Sequence, residues 1–146
     1  MLHDLARLYD GKRLLRECAA RGLPIGPFER RNPVVLHAPL GAALAHERFG
    51  VDDPSVLSAI AKHTAAAPDM SRLDQIVYLA DGLEPGRDFE QRAPLEALAF
   101  DDLEAAMNAT LRASVAYVRA RNLEAAPATL AALRSLEARE RRPLPA

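Results

Sequence analysis

Alanine and leucine fill 29 and 22 of the 146 positions, whereas valine, isoleucine and threonine together fill only 13. Alanine and leucine lose little freedom in a helix, and the branched side chains that pack best on a pleated sheet are scarce, so the chain is predicted to be all-α. With 49% of its residues hydrophobic it can bury a core without disulfides, and a single domain over 1–146 is the expected organisation. One cysteine, Cys18, leaves no internal pair, and with a net charge of -1 the composition fits a reducing cytoplasm. No apolar run approaches the ~20 residues that span a bilayer, and the first residues lack the basic and apolar regions of a signal peptide, so no membrane partner is expected. The 19 Lys+Arg are matched by 20 Asp+Glu, which argues against broad, charge-driven binding to nucleic acid and favours a small substrate or a protein partner, a homodimer included.

Capping chemistry marks the helices. Asn32-Pro33 reads as an N-cap with proline at the first helical position, opening a helix that runs to about Arg48 and stops at Gly50. Asp53-Pro54 repeats the device for a helix ending near Thr64. Ser71 with Asp74 three residues on resembles a capping box, opening a helix that ends at Gly82 and Pro85. Upstream, Leu2 to Leu8 and Leu14 to Arg21 read as two helices around Asp10-Gly11, followed by a loop through Pro24, Gly26 and Pro27. Downstream, Pro94 to Asn122 supports one long or broken helix and Pro127 to Arg142 another, with a short tail from Pro143 to Ala146.

Five residues inside this helical pattern could carry chemistry. His37 lies beside the apolar stripe of Leu36, Leu40 and Leu44, with Gly41 one turn away leaving room for a ligand. His46 falls on the opposite side of the same helix and is predicted to face solvent. His63 ends the stripe of Val56 and Ile60, where a pocket mouth could form. Asp81 follows Leu73 and Val77 on or next to a buried face, at a helix C-terminus where the macrodipole disfavours a negative charge by roughly 0.3 to 1 kcal/mol. A cation would offset that, either an arginine such as Arg87 or Arg72 or a metal. His3 and Asp4 stand at the start of the chain, where most chains fray. This mixture of nitrogen and carboxylate donors suits iron, manganese, cobalt or zinc better than calcium or magnesium.

Taken in order, the segments Leu2-His3-Asp4-Leu5-Ala6-Arg7, Arg31-Asn32-Pro33 with Leu36-His37, Lys62-His63-Thr64, Asp69-Met70-Ser71, and Tyr78-Leu79-Ala80-Asp81 leading to Glu84-Pro85-Gly86-Arg87-Asp88-Phe89 resemble the YqeK-type branch of the HD-domain phosphohydrolases over nearly the whole chain. The last segment is the most specific. The resemblance implies an HD-domain-like helical bundle that binds iron or a similar metal and hydrolyses diadenosine tetraphosphate symmetrically to two ADP. By position, His3, Asp4 and Asp81 are the implied metal ligands. His37 and His63 would line the same site, completing a second metal position or holding substrate phosphates. Arg7 and Arg87 would clamp the polyphosphate, and Thr64 would add a hydroxyl contact. The implied reaction is attack of a metal-bound hydroxide on an inner phosphorus with ADP as leaving group, Asp4 positioning or deprotonating the water and His37 and His63 completing the catalytic set.

Two stretches differ from the family pattern, both expected on the substrate side. Ala65-Ala66-Ala67 stands where the family has a threonine or glycine and a basic residue, and Ala126 stands where it often has a histidine ahead of Pro127 and Thr129. The family takes a first metal-ligand histidine from a helix preceding the His-Asp pair, whereas this chain begins just before His3; the expectation is that an upstream helix belongs to the full protein. An HD phosphohydrolase for another nucleotide, or a nucleotide-binding or interaction module without catalysis, are the alternative readings.

Overall fold

Asp10 sets the first α-helix by accepting the backbone N–H of Arg13 at 2.8 Å, the N-cap bond that a short carboxylate makes best. In a computed structural model that describes residues 2–141, this helix, α1, spans Gly11–Ala20. The remaining helices are α2 (Pro27–Arg31), α3 (His37–Phe49), α4 (Pro54–Lys62), α5 (Arg72–Gly82), α6 (Arg92–Asp101), α7 (Leu103–Ala120) and α8 (Pro127–Glu140), with 3-10 turns at Leu2–Asp4 and Pro33–Leu36. The described residues contain no strand, and none of their helices is long and apolar enough to cross a membrane. The expected helix end at Arg142 and the tail from Pro143 to Ala146 lie outside the described residues.

The caps at Asp53 and Ser71 act as read from the sequence. Asp53 accepts the Ser55 N–H at 2.8 Å, and Ser71 and Asp74 form a reciprocal capping box at the start of α5. Gly50 ends α3 in the left-handed region at φ 64°, where a side chain would be strained. The stretch from Pro94 to Asn122 is broken rather than continuous: Asp102 is extended and its carboxylate accepts the Ala105 N–H at 3.0 Å, restarting the chain as α7.

Three expectations are corrected. Leu2 to Leu8 makes a 3-10 turn and further turns closed by Arg7 N–H to Asp4 O at 2.9 Å and Tyr9 N–H to Ala6 O at 3.1 Å; its course is set by packing against α3 and α4 rather than by its own helical pattern. The loop after Pro24 contains α2, opened by Pro27 and anchored by buried Phe28. Asn32 does not cap α3. Its backbone N–H and its side-chain amide both donate to Phe28 O, closing α2, and Pro33 then opens a 3-10 turn. α3 therefore begins at His37, and the histidine sits on its first turn.

Two apolar clusters hold the fold. Leu14, Cys18, Leu36, Leu40 and Leu44 lock α1 and the second 3-10 turn onto α3, each leucine contributing ~1.5–3 kcal/mol by burial. Tyr78, Leu79, Leu95, Met107, Leu111 and Leu136 join α5 to α6, α7 and α8. α4 packs on both α3 and α5 and connects the two halves. The first 3-10 turn lies against α3 and α4, and Gly41 explains how closely: a Cβ there would stand 3.0 Å from the carbonyl oxygen of His3. The space beside His37 thus receives the backbone of His3 rather than a ligand.

Candidate active site

The 3-10 turn brings His3 and Asp4 to the point where α3 begins and where α4 and α5 end. His37 opens α3, His63 follows the last residue of α4, and Asp81 is in the last turn of α5. All five side chains meet. The Asp4 carboxylate is central: Oδ2 lies 3.6 Å from His3 Nε2, and Oδ1 lies 3.5 Å from His37 Nε2 and 3.7 Å from His63 Nε2. His3 Nε2 is also 3.6 Å from Asp81 Oδ1, and the rings of His3 and His37 both meet His63 edge-on. His37 and His63 are buried, His3 and Asp81 half-buried, and Asp4 is the most open of the set.

The proton count identifies what such a cluster can hold. His37 donates from Nδ1 to Val34 O, and His63 donates from Nδ1 to Ile60 O at 2.7 Å; a carbonyl only accepts, so each neutral ring carries its lone pair on Nε2. Those two nitrogens face each other at 3.2 Å. The Thr64 hydroxyl stands 3.1 Å from one and 3.2 Å from the other and can donate to only one. With a carboxylate beside them, electron pairs outnumber protons, and the cluster fits a cation. Donor atoms of His3, Asp4 and His63 all lie within 4.8 Å of one another, a group able to share one ion. Burial lowers the pKa of His37; the Val34 carbonyl opposes this, His63 and Arg7 reinforce it, and the neutral ring needed for ligation is favoured.

Asp81 has the arginine partner weighed for it. Besides facing His3, it accepts Arg87 Nη2 at 3.1 Å on Oδ2, while Arg87 Nε donates to the Asp81 backbone carbonyl at 3.1 Å. Arg87 thereby caps the C-terminus of α5 and leaves Nη1 uncommitted by these bonds. Arg72, at the other end of α5, takes no part. His46 is exposed as expected, paired with Asp52 at 2.9 Å.

A cavity of about 550 Å³ opens from this cluster, within the range of small-molecule sites. Arg7, Thr64 and Arg87 line it, as do Asp4, His37, His63 and Asp81. Ala65 to Ala67 and Ala126 are not among its lining, contrary to expectation. Ala66 and Ala67 pack on the core around α5, α7 and α8, and Thr129 donates to Ala65 O at 2.8 Å, so this turn is committed to packing. Sequence reasoning missed part of the wall. Tyr78, quoted only as part of a motif, lines the cavity with its phenol pushed up to about 12 by burial and by the Asp81 charge. Thr110, Ala113, Ser114 and Tyr117 of α7 line it too; their i, i+3, i+4, i+7 spacing was the available signal.

A helical scaffold that gathers histidines and aspartates from four elements around one point defines a class of metal-binding hydrolase folds. The HD-domain family model matches residues 1–86, which carry all five of these side chains, and the chain belongs to the HD-domain family of hydrolases, whose members bind divalent metals. It is 30% identical over 129 residues to a Bacillus subtilis protein named bis(5'-nucleosyl)-tetraphosphatase, symmetrical, covering 88% of this chain and 69% of that one. A Halalkalibacterium halodurans protein of the same name is 32% identical over 91% of this chain and 81% of its own. Among solved structures, a predicted HD superfamily hydrolase involved in NAD metabolism from Clostridium acetobutylicum superposes with a TM-score of 0.91 at 33% identity, over 94% of this chain and 73% of that one.

Proposed function

We propose that this chain hydrolyses diadenosine tetraphosphate, or a related dinucleoside polyphosphate, symmetrically to two nucleoside diphosphates. The observation that carries the reading is the convergence of His3, Asp4, His37, His63 and Asp81 at one end of a cavity that Arg7 and Arg87 also line. The two relatives named as symmetrical tetraphosphatases support the substrate.

In this reading His3, Asp4 and Asp81 hold the metal, with His37 and His63 completing its surroundings. Iron is the metal we propose; manganese, cobalt and zinc suit the same donors. Such an ion supplies Lewis acidity, lowering the pKa of a water and withdrawing charge from phosphoryl oxygens. Asp4, with its carboxylate open to the cavity, orients the attacking water and takes its proton. His37 and His63, each fixed by a backbone carbonyl, keep their Nε2 atoms aimed at the reacting centre. Arg7 and the free Nη1 of Arg87 neutralise the phosphate chain, and Thr64 donates a hydrogen bond to it. Water attacks an inner phosphorus, the bond to the bridging oxygen breaks, and ADP leaves on that oxygen, which needs no proton near neutral pH. A panel of mono- and dinucleoside polyphosphates assayed with each candidate metal tests this. The dinucleoside tetraphosphate with iron is expected to be turned over best; preference for a nucleoside triphosphate would overturn the substrate assignment.

A further inference from the structure

The family model ends at residue 86, yet the cavity does not. Its far wall comes from the segment beyond: Phe89, Leu95 of α6, and the α7 stripe of Thr110, Ala113, Ser114 and Tyr117. That stripe is graded. Thr110 is buried, Ala113 and Ser114 are half-buried, and Tyr117 is 57% exposed, so the side of the cavity deepens from Tyr117 at its mouth to Thr110 at its floor. The two small residues between them leave a slot along the helix.

Tyr117 is held for contact through its ring. The Arg121 guanidinium lies 3.7 Å from the ring centroid, covering one face, and the side chain still lines the cavity. Phe89 adds a second partly exposed ring to the same cavity. This end lacks the histidines and carboxylates of the metal cluster. The cavity thus carries the donor cluster and two arginines where phosphate would lie, and beyond them two aromatic rings, Leu95 and the small hydroxyls of Thr110 and Ser114, with Asp88 and Gln91 also in its lining. An exposed aromatic ring in such a place is costly to hydrate and gains most by covering another flat π-system.

We infer that Phe89 and Tyr117 form a stacking subsite for the nucleobase of a bound nucleotide, with α7 as its floor, so that residues outside 1–86 determine that the substrate carries a base at all. The inference rests on the phosphohydrolase reading for the placement of phosphate at Arg7 and Arg87, and concerns a contact to which that reading assigns no residue. Ser114 offers its hydroxyl to the edge of the base.

Equilibrium binding of ADP and of inorganic pyrophosphate to the metal-loaded chain, with Tyr117→Ala and Tyr117→Phe alongside the unaltered protein, tests it. Pyrophosphate carries the charge without the base. Tyr117→Ala is expected to weaken ADP by about tenfold, the scale of one base–aromatic stack, to leave pyrophosphate unchanged, and Tyr117→Phe to restore ADP. Because Tyr117 is exposed, far-UV circular dichroism should match across the three proteins. Equal loss of both ligands, no loss of either, or failure of phenylalanine to restore ADP overturns the subsite. Selective loss of ADP in a chain that hydrolyses no dinucleoside polyphosphate would uphold the subsite while overturning the proposed reaction.

Discussion

His37 and His63 point two lone pairs at each other across 3.2 Å, an arrangement that two neutral imidazoles do not adopt for their own benefit. Each is locked into it by the carbonyl beneath its Nδ1, and Asp4 adds negative charge to the same point. Asp4 is where activity should be most sensitive: Asp4→Ala is expected to lower kcat by at least ~100-fold, as loss of a general base does, with helical content unchanged. Retention of full rate would remove Asp4 from the mechanism. Gly41 offers a test that touches no donor atom. Alanine normally stabilises a helix interior by ~1 kcal/mol relative to glycine, but here its Cβ would press on the His3 carbonyl and displace the turn that carries His3 and Asp4. Gly41→Ala should therefore weaken metal binding by about tenfold, read by metal content after dialysis, with little change in melting temperature. Unchanged metal affinity would show that the turn yields without moving its side chains. The five donors could be picked out from their types and helical positions, whereas the purpose of Gly41 could not, because it depends on a segment far away in the chain.

Among elements, local chemistry was readable and tertiary dependence was not. Asp53-Pro54 and Ser71 with Asp74 cap the helices they were expected to cap, since a capping bond needs only its own turn. Asn32 failed the same test because its side-chain amide donates back to Phe28 O, one turn earlier, instead of accepting an N–H ahead, and Pro33 opens a 3-10 turn before α3. The Leu2 to Leu8 segment failed because its conformation is set by packing on α3 and α4. Asp74 does more than cap α5. Fully buried, it also binds Ser58 at 3.2 Å and Lys62 Nζ at 3.2 Å, joining α5 to α4, the helix that His63 follows. Burial raises its carboxyl, but the Ser71 N–H, the Ser58 hydroxyl and the Lys62 ammonium outweigh it and hold the pKa below the usual carboxylate range. A depressed folded-state pKa gives stability that is full above about pH 4 and is lost as pH falls through the lowered value. Asp74→Ala should cost about 2 kcal/mol in urea unfolding at pH 7 and flatten the loss of stability below pH 4. A variant that keeps the steep acid limb would assign that limb to other carboxylates.

Across the whole molecule, the division of labour follows the chain. Residues 1–86 supply the histidine and aspartate cluster and the arrangement around it, while α6 and α7 add lining to the same cavity. The first part was legible because donor types and motif spacing persist in the sequence. The second was legible only as a helix face: the spacing of Thr110, Ala113, Ser114 and Tyr117 marks one side of α7, and the fold alone brings that side to the cavity that His63 and Asp81 also line. In the proposed reaction this cavity aligns an inner phosphorus with the donor cluster at its end. The most direct measurement is product analysis of diadenosine tetraphosphate incubated with the iron-loaded chain. ADP as the sole nucleotide product is the predicted result; AMP with ATP, or no product with any of the four metals, would contradict it.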